Sequence, residues 1–203
     1  MTISSPARRR RAPEEAEREI LDAAERIVRE RPPDELTVTR VMDGTTLTRN
    51  AFYAYFHDRY DLIARLVGRL RAEADAGMAA YVAAADDVSA VGREALASAA
   101  RLWADHGELL RALSDAAAND EGAASAWGEF TEPTDTAVLA RVREDMRAGR
   151  IAGVDAEPTV RALVAMNRAS FMQELVGKPD AVVDRLVDAL HAIWIRALYG
   201  RDP

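Results

Sequence analysis

Apolar side chains recur at spacings of three and four along nearly the whole 203-residue chain, and nowhere do they alternate. A period near 3.6 lays one face of a helix against a core, whereas a half-buried strand needs a period of two. In the first such segment Ile20, Leu21, Ala24, Ile27 and Val28 share a face. Pro13 with Glu14, Glu15 and Glu17 suits its start, Arg29 and Arg31 its last turn, and Pro32-Pro33 its end, which predicts a helix over 14–30. Thr37 caps a short second helix reaching 43 or 44, and Thr48 a third over 49–55. Asp58 caps a fourth, whose face carries Leu62, Ile63, Leu66, Val67 and Leu70 and which continues to about Ala84. Further helices are predicted over 88–105, 107–118, 121–148, 156–176 and 180–198. Their breaks fall at Asp86-Asp87, His106-Gly107, Asn119-Asp120, Gly149 to Gly153 and Gly177-Lys178-Pro179. Pro133 is expected to kink or split the 121–148 stretch. With no hairpin signal and no repeat, the fold class is all-α.

Composition narrows the setting. A hydrophobic content of 49% with 30% charged residues can bury a sizeable core, so the chain is not of the disordered class. No apolar run is long enough for a membrane span, and the first residues lack the apolar stretch of a signal peptide. No cysteine is present, which excludes disulfides and thiolate metal sites. A cytoplasmic location is the expectation. The net charge of −7 is unevenly spread: residues 1–71 carry +2 and the remainder −9. The N-terminal third, with Arg8 to Arg11 at its head, is the part electrostatically suited to face nucleic acid.

That third also holds the densest aromatic cluster. In LTRNAFYAYFHDRYDL, residues 47–62, Phe52, Tyr53, Tyr55 and Phe56 make up four of the chain's twelve aromatics. On a helix Phe52 and Phe56 share one face and, with Leu47 and Leu62, point into a small core. Tyr53 and Tyr55 lie to either side, able to bury ring edges while their hydroxyls reach outward. Thr48, Arg49 and Asn50 occupy the first turn, where a recognition helix presents side chains to base edges in the major groove. Arginine can pair with guanine O6 and N7, and tyrosine and threonine hydroxyls can hold phosphates. Arg59, at the start of the next helix, can add a phosphate contact. The same spacing also suits an ordinary helical hairpin with exposed tyrosines and arginines.

The stretch from Leu36 to Leu62, LTVTRVMDGTTLTRNAFYAYFHDRYDL, resembles the DNA-binding domain of TetR-family transcriptional regulators. The matching positions are Thr37, Val38, Val41, Leu47, Thr48, Phe52, Tyr53, Tyr55, Phe56 and Leu62, with Arg59 where the family has lysine. Farther on, Ala165-Met166-Asn167 and the closing LVDALHAIWIRALYG resemble the ethionamide-resistance-repressor branch. The resemblance implies a flexible basic arm over 1–13, a helix-turn-helix domain over 14–71 and a helical effector-binding and dimerisation domain over 72–203. It implies that Thr48, Arg49 and Asn50 face the major groove of double-stranded operator DNA, with Arg49 as base reader. Tyr53, Tyr55 and Arg59 would bind phosphates, and Thr37, Thr39 and Arg40 would add backbone contacts. Arg8 to Arg11 would form an arm on the DNA or a solvated tail. Two positions depart from the family: Thr46 stands where glycine is usual in the turn, and Met42 where alanine is preferred. A threonine forced to positive φ would cost roughly 1 kcal/mol or more; Gly44 is the alternative place for that conformation. The larger Met42 side chain is expected to push the crossing helices apart unless the core adapts.

The acidic C-terminal half suits a pocket and a dimer. Val182, Val183, Leu186, Val187, Leu190, Ile193, Trp194, Ala197 and Leu198 form an apolar stripe that, with the helix before it, makes half of a four-helix homodimer interface or faces only its own core. Trp103, Trp127, Met166, Asn167, Phe171 and Trp194 are the candidate ligand-binding residues, set for a small lipophilic effector. Asn167 is singled out because a buried amide needs a partner that a ligand can supply; Arg168 beside it can pair locally instead. No cofactor or metal is expected. His57, His106 and His191 are widely scattered, and no phosphate loop, nucleophile elbow or His-Glu-x-x-His is present, which argues against an enzyme. The expected function is a ligand-responsive regulator, a repressor that binds a palindromic operator as a dimer. A helical sensor or protein-interaction module without specific DNA binding is the alternative.

Overall fold

The computed structural model describes residues 13–31, 35–84 and 88–200, all of whose regular structure is helical. Arg8 to Arg11, Pro32-Pro33 and Asp86-Asp87, for which the sequence carries expectations, lie outside the described residues. The chain forms two compact units, one ending at Leu62 and the other beginning at Ile63.

The first unit contains α1 (Pro13–Glu30), α2 (Val38–Asp43), α3 (Arg49–Phe52) and the opening of α4 (Arg59–Ala83). Helix α1 turns Ala16, Ile20, Leu21, Ala23 and Ala24 inward, with Glu14 and Glu15 in its first turn and Arg29 in its last, as its dipole favours. Thr37 caps α2, its Oγ1 accepting from the Arg40 backbone N–H at 3.2 Å. Asp58 caps α4 by accepting from the N–H groups of Tyr60 and Asp61 at 2.7 and 3.0 Å. Asp61 reaches back to accept from the His57 N–H at 3.0 Å.

The turn between α2 and α3 corrects both expectations about backbone strain. Gly44 has φ −84°, and no described residue other than glycine has positive φ, so neither Gly44 nor Thr46 is left-handed. Side-chain hydrogen bonds shape the turn instead. Thr45 Oγ1 donates to the Met42 carbonyl at 2.8 Å and accepts from the Leu47 N–H at 3.2 Å. The Thr46 N–H and hydroxyl both donate to Glu19 Oε1 on α1, at 2.6 and 2.8 Å. Threonine does here with its hydroxyl what a left-handed glycine does with its backbone. Met42 is 5% exposed and packs into this unit's core.

The second unit comprises α4 from Ile63 onward, α5 (Val88–Ala116), α6 (Glu121–Arg147), α7 (Ala156–Glu174) and α8 (Asp180–Tyr199). Helix α5 packs against α6, α7 and α8. Its expected break at His106-Gly107 does not occur. Gly107 lies mid-helix because a Cβ there would meet Val176 Cγ2 at 2.6 Å, so the glycine answers a close approach and not a helix end. Helix α6 also continues through Pro133, which is exposed. Pro133 has no N–H for the Glu129 carbonyl one turn back, and both residues are on the exposed side of the helix, where solvent can serve that carbonyl.

Candidate nucleic-acid interface and effector cavity

Helix α3 is shorter than predicted. It spans Arg49–Phe52, and residues 53–55 continue as turns, so Tyr53 and Tyr55 leave from a turn and not from a helix. The chain is fixed from behind by Phe52 and Phe56, which are 0% and 1% exposed with ring centroids 5.2 Å apart. The Tyr53 ring stands edge-on to Phe52 at 5.3 Å yet is 57% exposed. Thr48, Arg49 and Asn50 are exposed together at the start of α3, and Tyr55 beyond it is half-buried. Thr48 occupies the N-cap position without a side-chain cap bond, so its hydroxyl is not spent on the helix.

The outlying contact residues are differently placed. Thr39 and Arg40 are exposed on α2, and Arg40 is paired with Glu35, which also takes a 3.0 Å bond from Arg31. The Arg31 hydrogen bond first, with the Arg40 bond and charge, holds the Glu35 carboxyl below the ordinary carboxylate range. Thr37 accepts with Oγ1 and keeps its hydroxyl hydrogen to donate. Arg59 is half-buried, its guanidinium 5.0 Å from the centre of the Tyr60 ring.

The second unit holds a cavity of about 170 Å³ between its helices. Of the six candidate ligand-binding residues, Trp103, Asn167, Phe171 and Trp194 line it. Trp127 and Met166 do not. Trp127 stands edge-on behind Trp103 at 6.2 Å, and Met166 packs against a neighbouring apolar cluster. The Asn167 side chain is not waiting for a ligand with its carbonyl, because Oδ1 accepts from Trp194 Nε1 at 3.1 Å. That bond orients both side chains. Arg168 pairs with Asp135 across α6 and α7, and both line the cavity. Sequence reasoning missed Asp135 and also Tyr81, His191 and Tyr199. Burial lowers the His191 pKa ahead of the opposing Ser89 carbonyl bond, so the imidazole is neutral at pH 7. Its Nε2 sits 2.9 Å from the Ser89 carbonyl oxygen. A signal for Tyr81 existed: Ala74, Gly77, Met78 and Tyr81 form one helical face.

No group of three or more metal-ligating side chains occurs among the described residues, and no described helix is long and apolar enough to cross a membrane. A short helix offering polar side chains in one unit and an apolar cavity in the other fit a ligand-responsive transcriptional regulator. Two family models agree. The one described as the C-terminal domain of transcriptional regulator EthR matches residues 92–200, and the one for bacterial regulatory proteins of the tetR family matches residues 20–66. The chain belongs to the TetR family, in the branch with the EthR-type C-terminal domain. The HTH-type transcriptional regulator EthR of Mycobacterium tuberculosis is 26% identical over 189 residues, covering 90% of this chain and 87% of that one. Its counterpart in Mycolicibacterium smegmatis is 25% identical over 196 residues, covering 94% and 89%. Solved structures share the fold. FadR of Bacillus subtilis in complex with stearoyl-CoA superposes with a TM-score of 0.71 at 13% identity, over 89% of this chain and 98% of that one. A regulator from Saccharomonospora viridis in complex with choline gives 0.73 at 18%, over 93% and 100%.

Proposed function

We propose that this chain is a repressor that binds a palindromic operator as a homodimer and is released by a lipophilic molecule held in the cavity of its second unit. The observation that carries the DNA half is the arrangement of α3. Arg49 and Asn50 project from a segment whose phenylalanines are fully buried, so the reading side chains are held on a rigid base. Thr48, Tyr53, Tyr55 and Arg59 surround them with phosphate donors, and Thr37, Thr39 and Arg40 extend the surface.

A dimer is supported by the two faces of α8. Val183, Val187, Leu190 and Leu198 are buried in their own unit, while Val182, Leu186, Ala189 and Ile193 follow a 4-3-4 spacing on another face, with Ile193 42% exposed. Ala162, Ala165 and Ala169 make a similar exposed row on α7. Small and apolar rows on two neighbouring helices suit a four-helix interface about a two-fold axis. Two recognition segments so related would read half-sites separated by whole helical turns. FadR of B. subtilis is named with stearoyl-CoA, and the apolar cavity here supports a lipophilic effector for this chain as well. Release requires that the effector favour the state that does not bind DNA. A cytoplasmic location accords with this reading.

The test is a gel-shift titration against DNA from immediately upstream of the coding sequence, repeated over a range of salt. Specific binding that weakens steeply with salt is the expected result. Binding no better than to unrelated DNA, even at low salt, would leave a sensor module without operator recognition.

A further inference from the structure

Several polar groups around the cavity of the second unit are already committed. The Tyr199 hydroxyl donates to Asp145, Trp194 Nε1 to Asn167 Oδ1 at 3.1 Å, and Thr131 Oγ1 to the Trp127 carbonyl at 3.0 Å. The neutral His191 ring holds its Nε2 2.9 Å from the Ser89 carbonyl oxygen. Asp135 is different. It lines the cavity from α6 and uses only one carboxylate oxygen, Oδ2, on Arg168 of α7. Its side chain is 37% exposed as a whole, yet Oδ1 is buried and has no hydrogen-bond partner among the described residues. A charged acceptor kept from water and left unpaired is costly, so a donor brought to it gains more than one at a solvated oxygen.

Charge decides what kind of donor fits. Arg168 already balances the carboxylate, so an ammonium at Oδ1 would sit beside a guanidinium with no counter-charge of its own. An anionic head would face the carboxylate itself. An uncharged hydroxyl or N–H group meets neither repulsion. We propose that Asp135 sets the head-group specificity of this cavity: its Oδ1 accepts from an uncharged hydroxyl or N–H group on an otherwise apolar ligand, while Oδ2 stays with Arg168. This deepens, and rests on, the reading of the cavity as the effector site. A head that only accepts hydrogen bonds leaves Oδ1 unpaired.

Four small alkyl probes test this on the full chain: heptan-2-ol, hexanamide, heptan-2-one and heptan-2-amine, the last cationic at neutral pH. Binding is followed by tryptophan fluorescence, since Trp103 and Trp194 line the cavity. The alcohol and the amide are expected to bind about tenfold tighter than the ketone, as one hydrogen bond to a charged acceptor gives, and the amine no tighter than the ketone. In Asp135→Asn the side-chain oxygen stays with Arg168 and an NH2 donor replaces Oδ1, so the preference should reverse in favour of the ketone. Asp135→Leu combined with Arg168→Leu removes both charges and should bring alcohol and ketone to similar affinity, so a folding defect in one variant does not decide the matter. If the ketone matches the alcohol in the wild type, if the alcohol keeps its lead in both variants, or if the amine binds tightest, the assignment of Asp135 is wrong, although the cavity still binds apolar molecules. If none of the four binds the wild-type chain, the reading of the cavity as a ligand site fails with it.

Discussion

Replacing Asp145 with asparagine keeps the side chain's shape and removes its charge. Asp145 is fully buried, accepting from Arg141 Nε at 3.1 Å, Arg150 Nη2 at 2.7 Å and the Tyr199 hydroxyl at 2.5 Å. Arg141 is 4% exposed and also donates to the carbonyls of Tyr81 and Ala84. In Asp145→Asn that guanidinium stays buried with no counter-charge, which costs about 3–5 kcal/mol. Arg150, whose side chain is 36% exposed, turns to solvent and adds little. For a unit of this size, that loss lowers the melting temperature by roughly 6–20 °C. Thermal melts followed by circular dichroism measure it. The pH dependence has a definite sign. Burial alone would raise the Asp145 pKa, but hydrogen bonds from Tyr199 and Arg150 and the charges of Arg141 and Arg150 outweigh it and hold the group below the ordinary range. The unfolded chain therefore takes up the proton first. The stability difference between wild type and Asp145→Asn is full above pH ~5 and shrinks as pH falls through and below ~4. A variant melting within about 2 °C of wild type at pH 7 would show that the buried pair does not contribute as its geometry implies.

In the first unit, Phe52→Ala removes a fully buried ring and should cost about 3–5 kcal/mol, read as a lower urea midpoint, with DNA binding lost as the unit unfolds. On α4, a Cβ at Gly77 would meet Ser98 Oγ at 2.3 Å and Ser98 Cβ at 2.8 Å on α5. Gly77→Ala should therefore destabilise by about 1–3 kcal/mol, and adding Ser98→Gly should restore most of the loss in a double-mutant melt.

The sequence made the helices legible where periodicity was long. The bounds of α1, α7 and α8 fall within about two residues of their apolar patterns, since one buried face per helix is enough to set them. Glycine and proline misled. Gly107 marks a tight contact with Val176, and Pro133 sits on the exposed side of its helix, neither of which is visible without tertiary neighbours. The turn at Thr46 was misjudged because its partner, Glu19, is 27 positions away. In the cavity, large aromatics were found from residue type alone. Trp127 was not separable from Trp103 by that criterion, although one ring lines the space and the other backs it. Tyr81 and Asp135 lie on helical faces that the spacing offered but whose inward direction only packing fixes.

The most direct measurement compares wild type and Arg49→Ala by fluorescence anisotropy on the upstream operator DNA and on single-base-pair variants of it. The account predicts that Arg49→Ala folds normally, binds more weakly, and loses discrimination of about 1–3 kcal/mol at one base pair in each half-site. Unchanged affinity and unchanged base preference would contradict it, because α3 would then not be the reading element.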